Sequence, residues 1–260
     1  MNTPRELFAR YLEQRAELRE TPFILDRRAM EQSRIPEPGR PVERQARWLM
    51  DAPPIPGPGI IVPAPDQDLF TDDPLRQLDL DGIANLVHAC DRCALSTTRT
   101  NAVPGEGPAD ARLVVVGEGP GATEDETGRP FVGRAGELLT EILAAIDLPR
   151  EQVYICNVVK CRPPSNRKPL PDEMQTCVRY LYRQLEIISP EVILAVGATA
   201  AETLLNTRQS LGGFRSKVHE FRGIPLIVTY HPAALLRNPH WKKPTWDDVR
   251  IARQLVARHS

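Results

Sequence analysis

The sequence predicts an α/β domain built on a parallel sheet with helices packed on both faces. Two observations carry this reading. From about residue 82 onward, short apolar runs alternate with longer amphipathic stretches. Three of the four strand-like runs lead into unusual sequences: GEGPGATEDETGRPFVG, NVVKCRPP and YHPAALLR. In sheets of this class the functional site lies at the carboxyl ends of the strands.

The elements follow in chain order. Residues 3–20 read as a helix, with Leu7, Phe8, Tyr11, Leu12 and Leu18 on one side and Arg and Glu between them. Residues 36–65 hold nine prolines, a density that favours extended, solvated chain over helix or sheet. Between 51 and 85 seven Asp face only Arg76. Residues 1–85 are therefore expected to be a largely disordered tail with one short helix, and residues 86–260 the folded domain. Within that domain Arg112–Gly117 is a buried strand, and Ala135–Ile146 a helix with Leu138, Leu139, Ile142 and Leu143 inward. Val153–Val159 is a strand, and Asp172–Ile188 a helix started by Pro171. Glu191–Val196 is a strand that runs directly into a helix over Ala198–Leu205. Leu226–Thr229 is a short strand, and Asp247–Arg258 a closing helix.

Length and charge set bounds. A chain of 260 residues has room for one large domain plus extras. The net charge of -1 divides unevenly, -4 over residues 1–85 and +3 over the rest. That mild basicity permits phosphate contacts without arguing for them. No apolar run is long enough to span a membrane, and the start, MNTPRELFARYLEQRAELRE, is charged throughout. A cytoplasmic chain with no membrane contact is expected.

The five cysteines are Cys90, Cys93, Cys156, Cys161 and Cys177. In a reducing compartment they point to metal ligands or buried thiols rather than disulfides. Cys90-x2-Cys93 precedes the first strand of the domain, and a proline-rich loop separates Cys161 from Cys177. A zinc ribbon wants a second C-x2-C, and a redox pair wants a strand-to-helix turn. Four thiolates drawn from a hook and a loop suit an iron–sulfur cluster. Spacing alone leaves cluster, zinc and unligated thiols all open. Cys156 alternates with Val153 and Ile155 and reads as a core thiol.

Gly117-Glu118-Gly119-Pro120-Gly121-Ala122 follows a strand and has the outline of a dinucleotide fingerprint. Pro120 interrupts it, and the stretch TEDETGRP reads as an acidic turn that would repel a pyrophosphate. A helix is expected only from Ala135.

Taken together, GEGPGATEDETGRPFVGRAGELL, NVVKCRPPSNRKP and YHPAALLR, with Cys90-x2-Cys93 ahead and Cys177 behind, resemble the family-4, iron–sulfur uracil-DNA glycosylases. The resemblance covers about residues 86–260. It implies a three-layer α/β/α domain around a four-stranded parallel sheet. It implies a 4Fe–4S cluster on Cys90, Cys93, Cys161 and Cys177. The implied partner is uracil-containing DNA, single- or double-stranded, and the implied reaction is hydrolysis of the N-glycosidic bond of a flipped uracil. A monomer is expected.

The resemblance also implies roles. Gly117, Glu118 and Gly119 line one side of the pocket, with Phe131, Asn157 and His231 around the base. Phe131 offers a face for stacking, which contributes about 1–3 kcal/mol. Asn157 accepts from uracil N3–H and donates to O4, a pattern that cytosine reverses. His231 donates to O2 as charge builds on the leaving base. Glu118 positions the attacking water or stabilises the cationic sugar. Glu124 or Asp125 crowds the C5 position or caps a turn. Leu235 or Leu236 fills the gap left by the base, and Arg237, Lys242 and Lys243 meet phosphates. In the tail, Asp68, Leu69 and Phe70 end a segment similar to peptides that dock on bacterial sliding clamps.

Overall fold

A computed structural model describes residues 47–65 and 74–257. The expected helix at 3–20 and the Asp68-Leu69-Phe70 motif lie outside them.

Six strands form one mixed sheet: β1 (Pro58–Val62), β2 (Leu113–Gly117), β3 (Tyr154–Asn157), β4 (Val192–Val196), β5 (Val218–Phe221) and β6 (Ile224–Thr229), in the order β1-β5-β6-β4-β2-β3. The helices in chain order are α1 (Leu80–His88), α2 (Ala122–Thr127), α3 (Arg134–Ala145) and α4 (Pro171–Ile188). They are followed by α5 (Ala198–Leu205), α6 (Leu211–Phe214), α7 (Pro232–Arg237) and α8 (Lys242–Ala257). Helices cover both faces, so the α/β/α expectation holds.

The parallel core, β6-β4-β2-β3, is the expected set of four. β2 and β4 are buried along their whole length, as strands covered on both faces must be. Alternate residues serve opposite cores. Val114 and Val116 of β2 join one, with residues of α1, α4 and α5, and Leu113 and Val115 join the other, with residues of α3 and α8.

Two strands exceed the expected four. β5 hairpins onto β6 antiparallel through Arg222 and Gly223, at φ 52° and 86°. Both turn residues therefore have positive φ, as the tightest hairpin turns require. β1 then adds parallel to β5 at the sheet edge. Pro58 is tolerated as the first residue of an edge strand. The Ile60 amide donates to His219 Nδ1 at 2.9 Å, and a Cβ at Gly59 would lie 2.5 Å from that nitrogen. Only glycine lets the two strands close over the imidazole.

The solvated-linker expectation is therefore corrected for residues 47–65. Trp48 is buried, with the Arg253 guanidinium 4.8 Å from its ring centre. Arg250 donates to the carbonyls of Met50 and Asp51, and Gln254 to that of Pro53. Proline kept this segment from being helix, but its apolar residues and free carbonyls still found partners. The boundary drawn at 85/86 falls inside α1. The TEDET stretch is also not a turn: it forms α2, whose third residue, Glu124, accepts from the Gly121 amide at 3.1 Å.

Replacing Trp48 with Ala is expected to cost about 3–5 kcal/mol of stability, as for other buried tryptophans. Chemical denaturation checks it; an unchanged midpoint would restore the disordered linker.

Candidate active site

The strand ends of the parallel core converge on a cavity of ≈ 570 Å³. Each supplies part of the wall: Glu118 and Gly119 after β2, Asn157 at the end of β3, Gly197 to Thr199 after β4, and His231 after β6. Phe131 comes from the loop before α3. The structure thus brings together Glu118, Gly119, Phe131, Asn157 and His231.

Gly117 is placed differently from the expectation. It lies beneath the wall, paired with Asn157 in the β2–β3 register. A Cβ there would meet Asn157 Oδ1 at 2.4 Å and the Phe131 ring at 2.6 Å. Its role is to leave room for those two side chains.

Asn157 is 1% exposed, and its Oδ1 has no hydrogen-bond partner among the described residues. A buried carbonyl oxygen left unpaired costs about 1–3 kcal/mol, so the site is built to receive a donor.

Phe131 is held at φ 49°, a conformation rare for a bulky residue. Several contacts over-determine it. Arg150 donates to the carbonyls of Phe131 at 2.9 Å and Pro130 at 2.5 Å. Glu124 Oε1 accepts from the amides of Val132 and Gly133, both at 2.9 Å. Gly136 clears the Phe131 carbonyl, which a Cβ would overlap at 1.9 Å. The ring centre of Phe131 then lies 5.5 Å from that of His231.

His231 caps α7: its Nδ1 accepts from the Ala233 amide at 3.2 Å. The ring proton of the neutral form is then on Nε2. Burial, helped by the nearby Arg237 charge and opposed by Glu124, pulls the imidazole down to about 4. It is neutral at physiological pH. Glu118 Oε2 accepts from the Thr199 hydroxyl at 2.5 Å, which fixes the carboxylate against the start of α5.

The acidic pair after the glycine loop has structural work. Glu124 clamps the Phe131 turn, and Asp125 Oδ1 accepts from the amides of Thr100 at 2.9 Å and Asn101 at 3.4 Å. The capping alternative is the one observed, although Glu124 also reaches the cavity wall. Of the loop cations, Arg167 is paired with Glu173 and Lys168 with Glu202. Leu235 is buried and Leu236 is 42% exposed.

A second niche, away from the cavity, is lined by Cys90, Cys93, Cys161 and Cys177 together. Cys156 lies in β3, fully buried, outside that niche. Donors surround the sulfurs: Arg99 Nη1 at 2.9 Å from Cys161 Sγ, the Lys160 amide at 3.3 Å from Cys177 Sγ, and the Tyr180 hydroxyl at 3.5 Å from Cys90 Sγ. Burial pushes the Cys177 thiol up to about 12 and raises Cys161 as well. Among the described residues no three His, Cys, Asp or Glu close around a single metal ion.

Sequence reasoning missed Thr199, Arg150 and Arg99. Thr199 had a faint signal, a small polar residue just after a strand-ending glycine. Arg150 and Arg99 had none, because their contacts lie 19 and 62 residues away along the chain.

Known proteins resemble this chain in sequence. The family model of the uracil DNA glycosylase superfamily matches residues 104–252. A type-4 uracil-DNA glycosylase of Thermotoga maritima is 47% identical over 73% of this chain and 99% of its own length. One from Archaeoglobus fulgidus is 44% identical over 69% of this chain and 94% of its own. A type-5 uracil-DNA glycosylase of Thermus thermophilus is 36% identical over 50% and 68%. The fold is thus that of the uracil-DNA glycosylase superfamily. Within it, the chain belongs to the type-4 uracil-DNA glycosylases.

The His231 imidazole should titrate by NMR with a midpoint near 4 rather than near 6.5. The unfolded chain takes up that proton at about 6.5, so stability from this group is present above that pH and falls as pH drops toward 4. A midpoint at 6.5 would contradict the neutral ring.

Proposed function

We infer that the chain excises uracil from DNA by hydrolysing its N-glycosidic bond, and so initiates base-excision repair. The observation that carries this reading is the unpartnered Oδ1 of Asn157, buried in a cavity between Phe131 and His231.

The chemistry follows from the residues. Uracil leaves the stack at a cost of a few kcal/mol and stacks on the Phe131 ring. Asn157 Oδ1 accepts from N3–H, and the amide nitrogen donates to O4. Cytosine presents an acceptor and a donor at the same two places and leaves buried groups unpaired. His231 Nε2–H donates to O2 while negative charge builds on the departing base. Because the imidazole is neutral it donates without giving up its proton, and the base leaves as an anion. Glu118, held by Thr199, orients water toward the sugar or balances its positive charge. Leu236, the exposed member of the leucine pair, is the residue that fills the vacated stack.

The thiol niche fits a 4Fe–4S cluster on Cys90, Cys93, Cys161 and Cys177. Four sulfurs line it, and an arginine, a backbone amide and a tyrosine donate toward three of them, as thiolates on a cluster require. Bound there, the cluster supplies a covalent cross-link among the hook at 90–93, the loop after β3, and α4. It carries no step of the hydrolysis.

Incubation with a uracil-containing oligonucleotide, followed by alkali, is expected to break the strand at uracil. Intact strands from iron-loaded protein would overturn the reading. His231→Ala is expected to lower kcat by about a hundredfold. Asn157→Asp should narrow the ratio of uracil to cytosine excision by about tenfold or more, measured on paired substrates; an unchanged ratio removes Asn157 from discrimination. For the cluster, Cys93→Ser should lose visible absorbance and bound iron and sulfide, while Cys156→Ser keeps them.

A further inference from the structure

Beside the cavity the side chains of Arg215, Tyr230 and Trp241 form a layered stack. The Trp241 indole lies 4.6 Å from the Tyr230 ring at an interplanar angle of 9°. The Arg215 guanidinium lies over the same tyrosine, also 4.6 Å from its centre. Arg215 is itself fixed by Asp248 at 2.7 Å and the Pro244 carbonyl at 3.0 Å. Asp248 in turn accepts from Thr229 at 2.7 Å, at the end of β6. The stack is therefore anchored to the sheet at Thr229, and its Tyr230 sits directly before His231. Trp241 is 36% exposed, unusual for an indole that packing alone explains.

The surroundings of Trp241 are cationic. Arg237, Lys242 and Lys243 are all exposed, and none has a carboxylate partner among the described residues. Arg237 also lines the cavity, so the short segment that carries Trp241 begins at the cavity wall with a positive charge. A flat aromatic face ringed by unpaired cations is the surface that binds a single nucleic-acid strand, bases on the ring and phosphates on the charges.

We propose that Trp241 is a stacking platform for a nucleotide flanking the flipped uracil, and that Arg237, Lys242 and Lys243 hold the phosphates between the two. This rests on the uracil-excision reading for the position of the neighbouring base, though not for the affinity of the surface itself. The platform grips unpaired strand: the outer face of Trp241 can take a base only where that base is not already paired and stacked within a duplex.

Kinetics on single-stranded oligonucleotides test it, with one central uracil and flanks shortened from either end. Trp241→Ala is expected to lower kcat/KM on the long strand about tenfold, within the range for one stacked base, mostly through KM. Trp241→Phe should recover most of the loss. Removing the flank on one side should bring the native enzyme down to the level of Trp241→Ala and leave that variant unmoved. Equal responses of both proteins to every shortening would overturn the proposal, as would an unchanged kcat/KM in Trp241→Ala. An end-labelled thymine strand of the same length should bind Trp241→Ala about tenfold more weakly than the native protein by anisotropy, with Trp241→Phe restoring most of the affinity, while the quench of tryptophan fluorescence that the strand causes in the native protein should shrink in both variants. Binding of the thymine strand without any uracil cleavage would break the excision reading and leave the platform standing. Cleavage with no loss of strand affinity in Trp241→Ala would do the reverse.

Discussion

Gly117 and Asn157 are the last paired residues of β2 and β3, and the volume that a side chain at Gly117 would take is filled by the Asn157 amide and the Phe131 ring. That close approach sets the depth of the cavity. Asn157 is thereby buried with an oxygen unpaired, and Phe131 is drawn into a backbone conformation that three neighbouring groups must hold. The strain of a bulky residue at positive φ is of order 1–3 kcal/mol and is offset by the bonds from Arg150 and to Glu124. The shape of the cavity thus depends on backbone packing at least as much as on the side chains that line it.

Electrostatics divides the domain into two environments. In the cavity, burial keeps His231 neutral, and a helix-capping bond decides which nitrogen carries its proton. The same ring caps a helix through Nδ1 and carries its proton on Nε2. In the thiol niche the neighbours are donors, with Arg99 on Cys161 and the fully buried Lys160 beside Cys177. Lys160 Nζ donates to Gln184 at 2.6 Å, and Gln184 donates on to Pro104 and Tyr154. Burial pulls the Lys160 ammonium below its ordinary value, and the neighbouring Cys156 and Cys177 sulfurs oppose that shift.

Much of this was legible in the sequence where local pattern decides. The four strands of the parallel core showed as apolar runs, and the four niche cysteines as a hook and a widely spaced pair. What escaped was set at a distance. β5 alternates buried and half-buried residues over only four positions, and its turn is Arg-Gly rather than Asn-Gly. β1 hid among prolines because edge strands tolerate them, and because its partner strand lies some 160 residues onward. The acidic loop read as turn because Glu124 serves amides in a different segment. Asn157, Phe131 and His231 were each ordinary alone and gained meaning only as neighbours in a family motif.

Arg250 reaches back across 200 residues to the carbonyls of Met50 and Asp51, and Gln254 across 201 to Pro53. The first described segment is therefore seated on the last helix. During synthesis that seat does not exist until α8 has left the ribosome, so Trp48 waits in solvent while nearly the whole domain is made. Contacts of such long sequence separation form slowly and late. The fold is complete only once α8 has emerged, and until then its edge strand is exposed to chaperones and to other chains.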